Sequence, residues 1–146
     1  MPSKRVAAFD ETIQKTTEWL VRLEAVLGWD DRQNAYMALR SILHALRDRL
    51  PPAEAVDLGA QLPMLVRGFY YQGWHPANKP RKYRHKGPFL KQVTQEAPWL
   101  RGPELERAIS AVFEVLVSEL GPDGEVGQVR DALPAELREL WAQPGL

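Results

Sequence analysis

A chain of 146 residues, 45% hydrophobic and 26% charged, has the composition of one folded domain and not of a disordered segment. At this length folding covers about 70% of the surface that the unfolded chain exposes, so a core forms without covalent staples. The absence of cysteine excludes disulfides, thiolate zinc sites and cysteine nucleophiles. The formal net charge of zero hides a segregation. Residues 1–57 carry 8 basic and 9 acidic side chains, residues 58–95 carry 7 and none, and residues 96–146 carry 4 and 10.

The opening MPSKRVAAFDETIQ holds no apolar core of signal-peptide length, and no run approaches the roughly 20 apolar residues that span a bilayer. A soluble, cytoplasmic protein without membrane contact is expected. Over residues 9–27, Phe9, Ile13, Thr16, Leu20, Leu23 and Leu27 share one helical face and predict a first helix packed on a core. Gly28 ends it. In GWDDRQ, Asp30 is expected to cap the next helix with Gln33 reaching back, as in a capping box. That helix, residues 31–50, carries Ala35, Leu39, Ile42, Leu46 and Leu50 on one face.

Proline is tolerated in a first helical turn, so LPPAEAVDLGAQLP predicts a short helix over Pro52–Gln61. Leu62–Pro63 then makes a corner. A further short helix runs to about Gln72, and Gly68 within it suggests a close backbone approach. The order recurs beyond the basic stretch: PFLKQVTQEA, the long GPELERAISAVFEVLVSEL covering 103–120, DGEVGQVRDAL and PAELRELWA. The expected fold is therefore all-α. About eight helices form two pseudo-repeated four-helix units, residues 9–72 and 88–142, joined by an aromatic and basic linker at 73–87 within a single domain spanning 1–146.

An offset of 70 residues places Leu39 on Ile109, Ile42 on Val112, Leu46 on Leu116 and Leu50 on Leu120, and one residue later Leu62–Pro63 falls on Leu133–Pro134. These paired segments, ALRSILHALRDRLPPAEAVDLGAQLP and AISAVFEVLVSELGPDGEVGQVRDALP, are joined by VRGFYYQGWHPANKP. Together they resemble the bacterial family known as domain of unknown function 2267, from about Phe9 to Trp141. The resemblance implies an all-helical tandem-repeat fold with no established activity, and it carries over no catalytic residue.

Residues 68–89, GFYYQGWHPANKPRKYRHKGPF, concentrate aromatic and basic side chains between helical patterns. Phe69, Tyr70 and Trp74 are expected to serve as structural anchors, with base stacking as the other use of such rings. The run Lys79, Arg81, Lys82, Tyr83, Arg84, Lys86 and Lys91 is a candidate polyanion-binding stretch, since six cations could neutralise phosphates. Pairing with the acidic second half, or plain solvation, are its other uses. His44, His75 and His85 are too scattered for a metal site, with no carboxylate between Asp57 and Glu96, so no metal and no cofactor are expected.

The acids at Asp10 and Glu11, Asp30 and Asp31, and Glu104 and Glu106 suit first helical turns, where they meet the helix dipole. No phosphate loop, dinucleotide fingerprint or serine elbow occurs, and no catalytic residue is assigned. The favoured expectation is a non-enzymatic helical protein-interaction module, with an unknown protein partner or a second copy, and an enzyme with an unrecognised site is a third reading. The alternative is a weak nucleic-acid or polyanion binder through residues 79–91.

Overall fold

The computed structural model describes residues 4–77, 79–80, 85–121 and 124–142. Among them run eight helices and no strand: α1 (Ala7–Leu27), α2 (Arg32–Asp48), α3 (Pro52–Gln61), α4 (Met64–Tyr71), α5 (Lys86–Glu96), α6 (Pro103–Leu120), α7 (Glu125–Ala132) and α8 (Ala135–Ala142). The protein is all-α.

In α1 the expected stripe holds over its second half, where Thr16, Leu20, Leu23 and Leu27 are buried together with Trp19. It fails at the start. Phe9 and Ile13 are 58% and 55% exposed, because the first turns of α1 overhang the end of the core. Periodicity selects a face of a helix but does not say where the core stops. Gly28 closes α1 in the left-handed conformation, at φ 70°. The cap of α2 is Asp31 and not Asp30: its carboxylate accepts from the backbone N–H of Asn34 at 2.9 Å.

Helix α2 is the central one. Every residue from Ser41 to Asp48 is buried, so α2 meets neighbours on all sides: α1, α4, α5 and α6. Helix α6 has the same character, with Ala108 to Phe113 buried in succession, and it packs on α1, α2, α7 and α8. Helices α3 and α7 lie against each other. Leu62 and Leu133 are both extended, each directly before its proline, as the sequence requires at those corners.

The close approach expected at Gly68 occurs elsewhere. A Cβ at Gly68 would meet nothing within 4 Å, whereas one at Gly59 would collide with the Tyr71 ring. Tyr71 folds back from α4 over α3, and only a glycine on α3 leaves room for it. Beside it Tyr70 is fully buried and donates to the Ala55 carbonyl at 2.6 Å, and burial pushes its phenol far above the ordinary range.

Candidate functional site

The last turn of α4 leaves carbonyls that no helical N–H can reach. The C-terminal half of α2 supplies the missing donors. His44 Nε2 contacts the Phe69 carbonyl at 2.5 Å, and Arg47 Nη1 donates to the carbonyls of Tyr70 at 2.5 Å and Gln72 at 2.7 Å. An arginine and a histidine thus sit at a helix C-terminus, where the backbone dipole favours the positive charge of Arg47. Both are nearly inaccessible, His44 at 3% and Arg47 at 4% exposure.

Helix α5 completes the arrangement from the other side. His44 Nδ1 lies 2.9 and 2.8 Å from the two Glu96 oxygens, and Arg40 Nη1 reaches Glu96 at 3.2 Å. Both imidazole nitrogens therefore face oxygen atoms, the Glu96 carboxylate on one side and the Phe69 carbonyl on the other. Burial works against the Glu96 charge, yet the His44 hydrogen bond and the charges of His44, Arg40 and Arg47 outweigh it and hold the carboxyl below its ordinary value. Arg47 Nε donates to Asp48 at 3.1 Å, and Asp48 accepts from Gln92 of α5 at 2.8 Å. Arg49 donates to Gln92 and lies over the Phe89 ring, 5.4 Å from its centre.

These side chains line an open groove of about 570 Å³ whose walls are Arg40, His44, Arg47, Asp48, Gln72 and Glu96, with Gly73, Gln92 and Gln95 completing it. Gly73 has φ 73° and turns the chain away from α4 beside Arg47. Trp74 follows, half-buried, with its ring 5.5 Å from that of Tyr71 and its indole N–H buried without a partner among the described residues. Phe69 packs edge-on against Tyr36 at 5.3 Å. The segment after α4 is thus fastened by α2 cations gripping its backbone as well as by aromatic rings. The sequence offered one signal for this: His44, Arg47 and Asp48 stand at i, i+3 and i+4, a polar stripe beside the apolar one on the same helix.

The basic stretch divides. Arg81, Lys82, Tyr83 and Arg84, named as polyanion-binding candidates, lie outside the described residues. Lys79 is half-buried, and Lys91 is exposed on α5. Lys86 faces the acidic half of the chain: Nζ meets Glu106 at 3.0 Å and its backbone N–H donates to Glu136 at 2.6 Å, while His85 lies 3.3 Å from Glu136. The Glu106 hydrogen bond and charge raise the Lys86 ammonium above its ordinary value, and the Lys86 backbone N–H lowers Glu136. His75 is exposed on the connecting segment.

Apolar surface gathers on a different face. Ile13, Thr16 and Leu20 of α1, Tyr36 of α2, and Leu65 and Phe69 of α4 line a second groove of about 650 Å³, and Gly68 leaves its floor open. Phe9, one turn before Ile13, and Met64, beside Leu65, extend exposed apolar surface near it. Thr12 Oγ1 accepts from the Leu65 backbone N–H at 2.8 Å and ties the two helices together at this point. No helix among the described residues is long and apolar enough to cross a membrane.

One family model, described as an uncharacterized conserved protein (DUF2267), matches residues 16–140. No curated protein matches the chain.

Proposed function

The chain belongs to the DUF2267 family, and on that premise we propose that it is a non-enzymatic helical interaction module whose contact surface is the apolar groove between α1 and α4. The observation that carries this is the overhang of α1. Ile13 and Leu65 line one groove while 55% and 44% exposed, and Phe9 adds a ring 58% exposed one turn away. Exposed apolar side chains clustered in a concavity mark an interaction site, and a groove between helices accepts a partner helix through side chains at helical spacing. The occupant is a protein partner, with a second copy of the chain as the first to test.

The recurring order of a long helix and two short ones, α2–α4 and α6–α8, with Leu62–Pro63 and Leu133–Pro134 at matching corners, supports a duplicated unit behind this architecture. Within the same proposal the protein works in a bacterial cytoplasm, where a chain without cysteine has no thiol to protect or oxidise. Sedimentation equilibrium of the wild type and of Ile13→Asp with Leu65→Asp tests the surface. A dimer that the double variant converts to monomer supports self-association. A wild type monomeric at about 100 μM, well above the Kd of a stable dimer, rejects the second copy as occupant.

A further inference from the structure

Between α3 and α7 three carboxylates converge. Glu54 and Asp57 come from α3, Glu125 is the first residue of α7, and one oxygen of each lies within 4.8 Å of the others. Asp57 is exposed and Glu54 half-buried, but Glu125 is only 8% exposed, and among the described residues its Oε1 is buried without a hydrogen-bond partner, as is Oε2 of Glu54. Among the described residues no lysine, arginine or histidine pairs with any of the three.

Such a grouping is costly as it stands, because buried carboxylates are ordinarily paired, protonated or bound to a cation. The spacing suits the last of these. Two oxygens that share an ion at about 2.4 Å each can be at most about 4.8 Å apart. The donors are all carboxylate oxygen, with no imidazole or thiolate, which selects hard cations over zinc or copper. Three carboxylates supply three to six oxygens, and water completes the shell.

We propose that Glu54, Asp57 and Glu125 form a binding site for one hard divalent cation of the calcium, manganese or magnesium class, which fastens α3 to α7. The site joins α3 to α7, shares no residue with the lining of the α1–α4 groove, and is independent of what that groove binds. Glu54 and Glu125 stand 71 residues apart, the same offset as Leu62–Pro63 and Leu133–Pro134, so equivalent positions of the two segments face each other here. In the absence of a cation, burial, then a hydrogen bond shared with the Glu54 carboxyl, then the Glu54 and Asp57 charges push the Glu125 carboxyl up to about 7. A bound cation removes that repulsion and competes with the proton.

The test is thermal unfolding of EDTA-treated protein at pH 7.5, alone and with about 5 mM CaCl2, MnCl2 or MgCl2, for the wild type, Glu54→Gln and Glu125→Gln. At least one cation should raise the wild-type midpoint by about 5 °C or more, and both variants should lose the shift while melting at or above the cation-free wild type. No shift with any cation, or an equal shift in the variants, overturns the site. Titration calorimetry of the wild type provides a readout free of variant folding. A saturable one-to-one isotherm at pH 7.5 that disappears at pH 5 supports the site, and a titration that never saturates overturns it.

Discussion

Two helix contacts in this molecule bury ionisable side chains and treat them in opposite ways. Where α2 meets α4 and α5, each charge has a counterpart: His44 with Glu96, Arg47 with Asp48 and two carbonyls, Asp48 with Gln92. Where α3 meets α7, Glu54, Asp57 and Glu125 share one sign, and buried oxygens of Glu54 and Glu125 have no hydrogen-bond partner among the described residues. Both contacts join the two halves of the chain, α2 to α5 in the first and α3 to α7 in the second. The first is complete within the described residues, whereas the second needs a proton or a cation from solution. Burial of charge is therefore not one property: its sign for stability depends on whether the fold itself supplies the partner.

Breaking the complete contact should have the largest effect. Arg47→Ala removes three hydrogen bonds in a site where the side chain is 5% exposed, takes the guanidinium from the carbonyls of Tyr70 and Gln72, and leaves Asp48 to its other partners, Gln92 among them. Losing one partner of a buried network costs about 3–5 kcal/mol, which for a domain of this size lowers the melting midpoint by about 10 °C. Urea unfolding measures it. A loss below about 1 kcal/mol would mean that water replaces the guanidinium at no cost and that this contact is not a fastening.

How much of this could be read from sequence follows from the distance over which each partner is chosen. The helices and their corners are local matters, and the spacing of Leu20, Leu23 and Leu27 or the pair Leu62–Pro63 declares them. The limit of the core is not local, so Phe9 and Ile13 were indistinguishable from Leu20 by spacing and yet are exposed. The glycine beneath Tyr71 is Gly59 and not Gly68 because a ring folds back from the neighbouring helix. His44 finds Glu96 52 residues away, just past the acid-free interval that spoke against a histidine site. Glu54 and Glu125 each occupy a first helical turn, where a carboxylate looks ordinary. Only the packing of α3 on α7 makes them unusual.

Trp74 stands at the junction of the two contacts, following the backbone that Arg47 grips and packing on the Tyr71 ring that covers Gly59 of α3. Full burial of a tryptophan would put the loss on truncation at about 3–5 kcal/mol; a half-buried ring gives about 2. Trp74→Ala should lower the midpoint by several degrees, less than Arg47→Ala. If it lowers it more, the rings and not the α2 cations are the main attachment of this segment.

The pH dependence sharpens the contrast, because the two contacts carry shifts of opposite direction. Glu96 is lowered from 4.5, so the stability it contributes is present above pH 4.5 and is lost as acid protonates it below that value. Glu125 is raised from 4.5 to about 7, so its contribution is present below pH 4.5 and is lost as pH rises through about 7. In EDTA-treated protein, Glu96→Gln should flatten the fall in stability on the acid side. Glu125→Gln should flatten the fall between pH 4.5 and 7 and raise stability at pH 8 by on the order of 1 kcal/mol. Denaturation midpoints across pH 3–8 report both, and a common pH profile for the two variants would remove the distinction between the contacts.

The smallest effect is expected where opposite charges meet in water. Lys86 pairs with Glu106 at 3.0 Å, but the two side chains are 43% and 33% exposed, and pairs of that kind contribute between nothing and about 1 kcal/mol. The firmer link between α5 and α8 is the Lys86 backbone N–H on Glu136, which any residue except proline at position 86 retains. Lys86→Ser should therefore move the denaturation midpoint little at low salt, and about 0.5 M salt should erase any difference from wild type, since the Debye length then falls to a few ångströms. The same variant bears on polyanion binding. A lysine held by Glu106 has to exchange that partner for a phosphate, so binding of a short single-stranded oligonucleotide, measured by fluorescence anisotropy at low salt, should be weak and unaltered by Lys86→Ser. Affinity that drops tenfold in the variant would show that the ammonium leaves Glu106 for the nucleic acid and that the basic stretch acts on a partner outside the molecule.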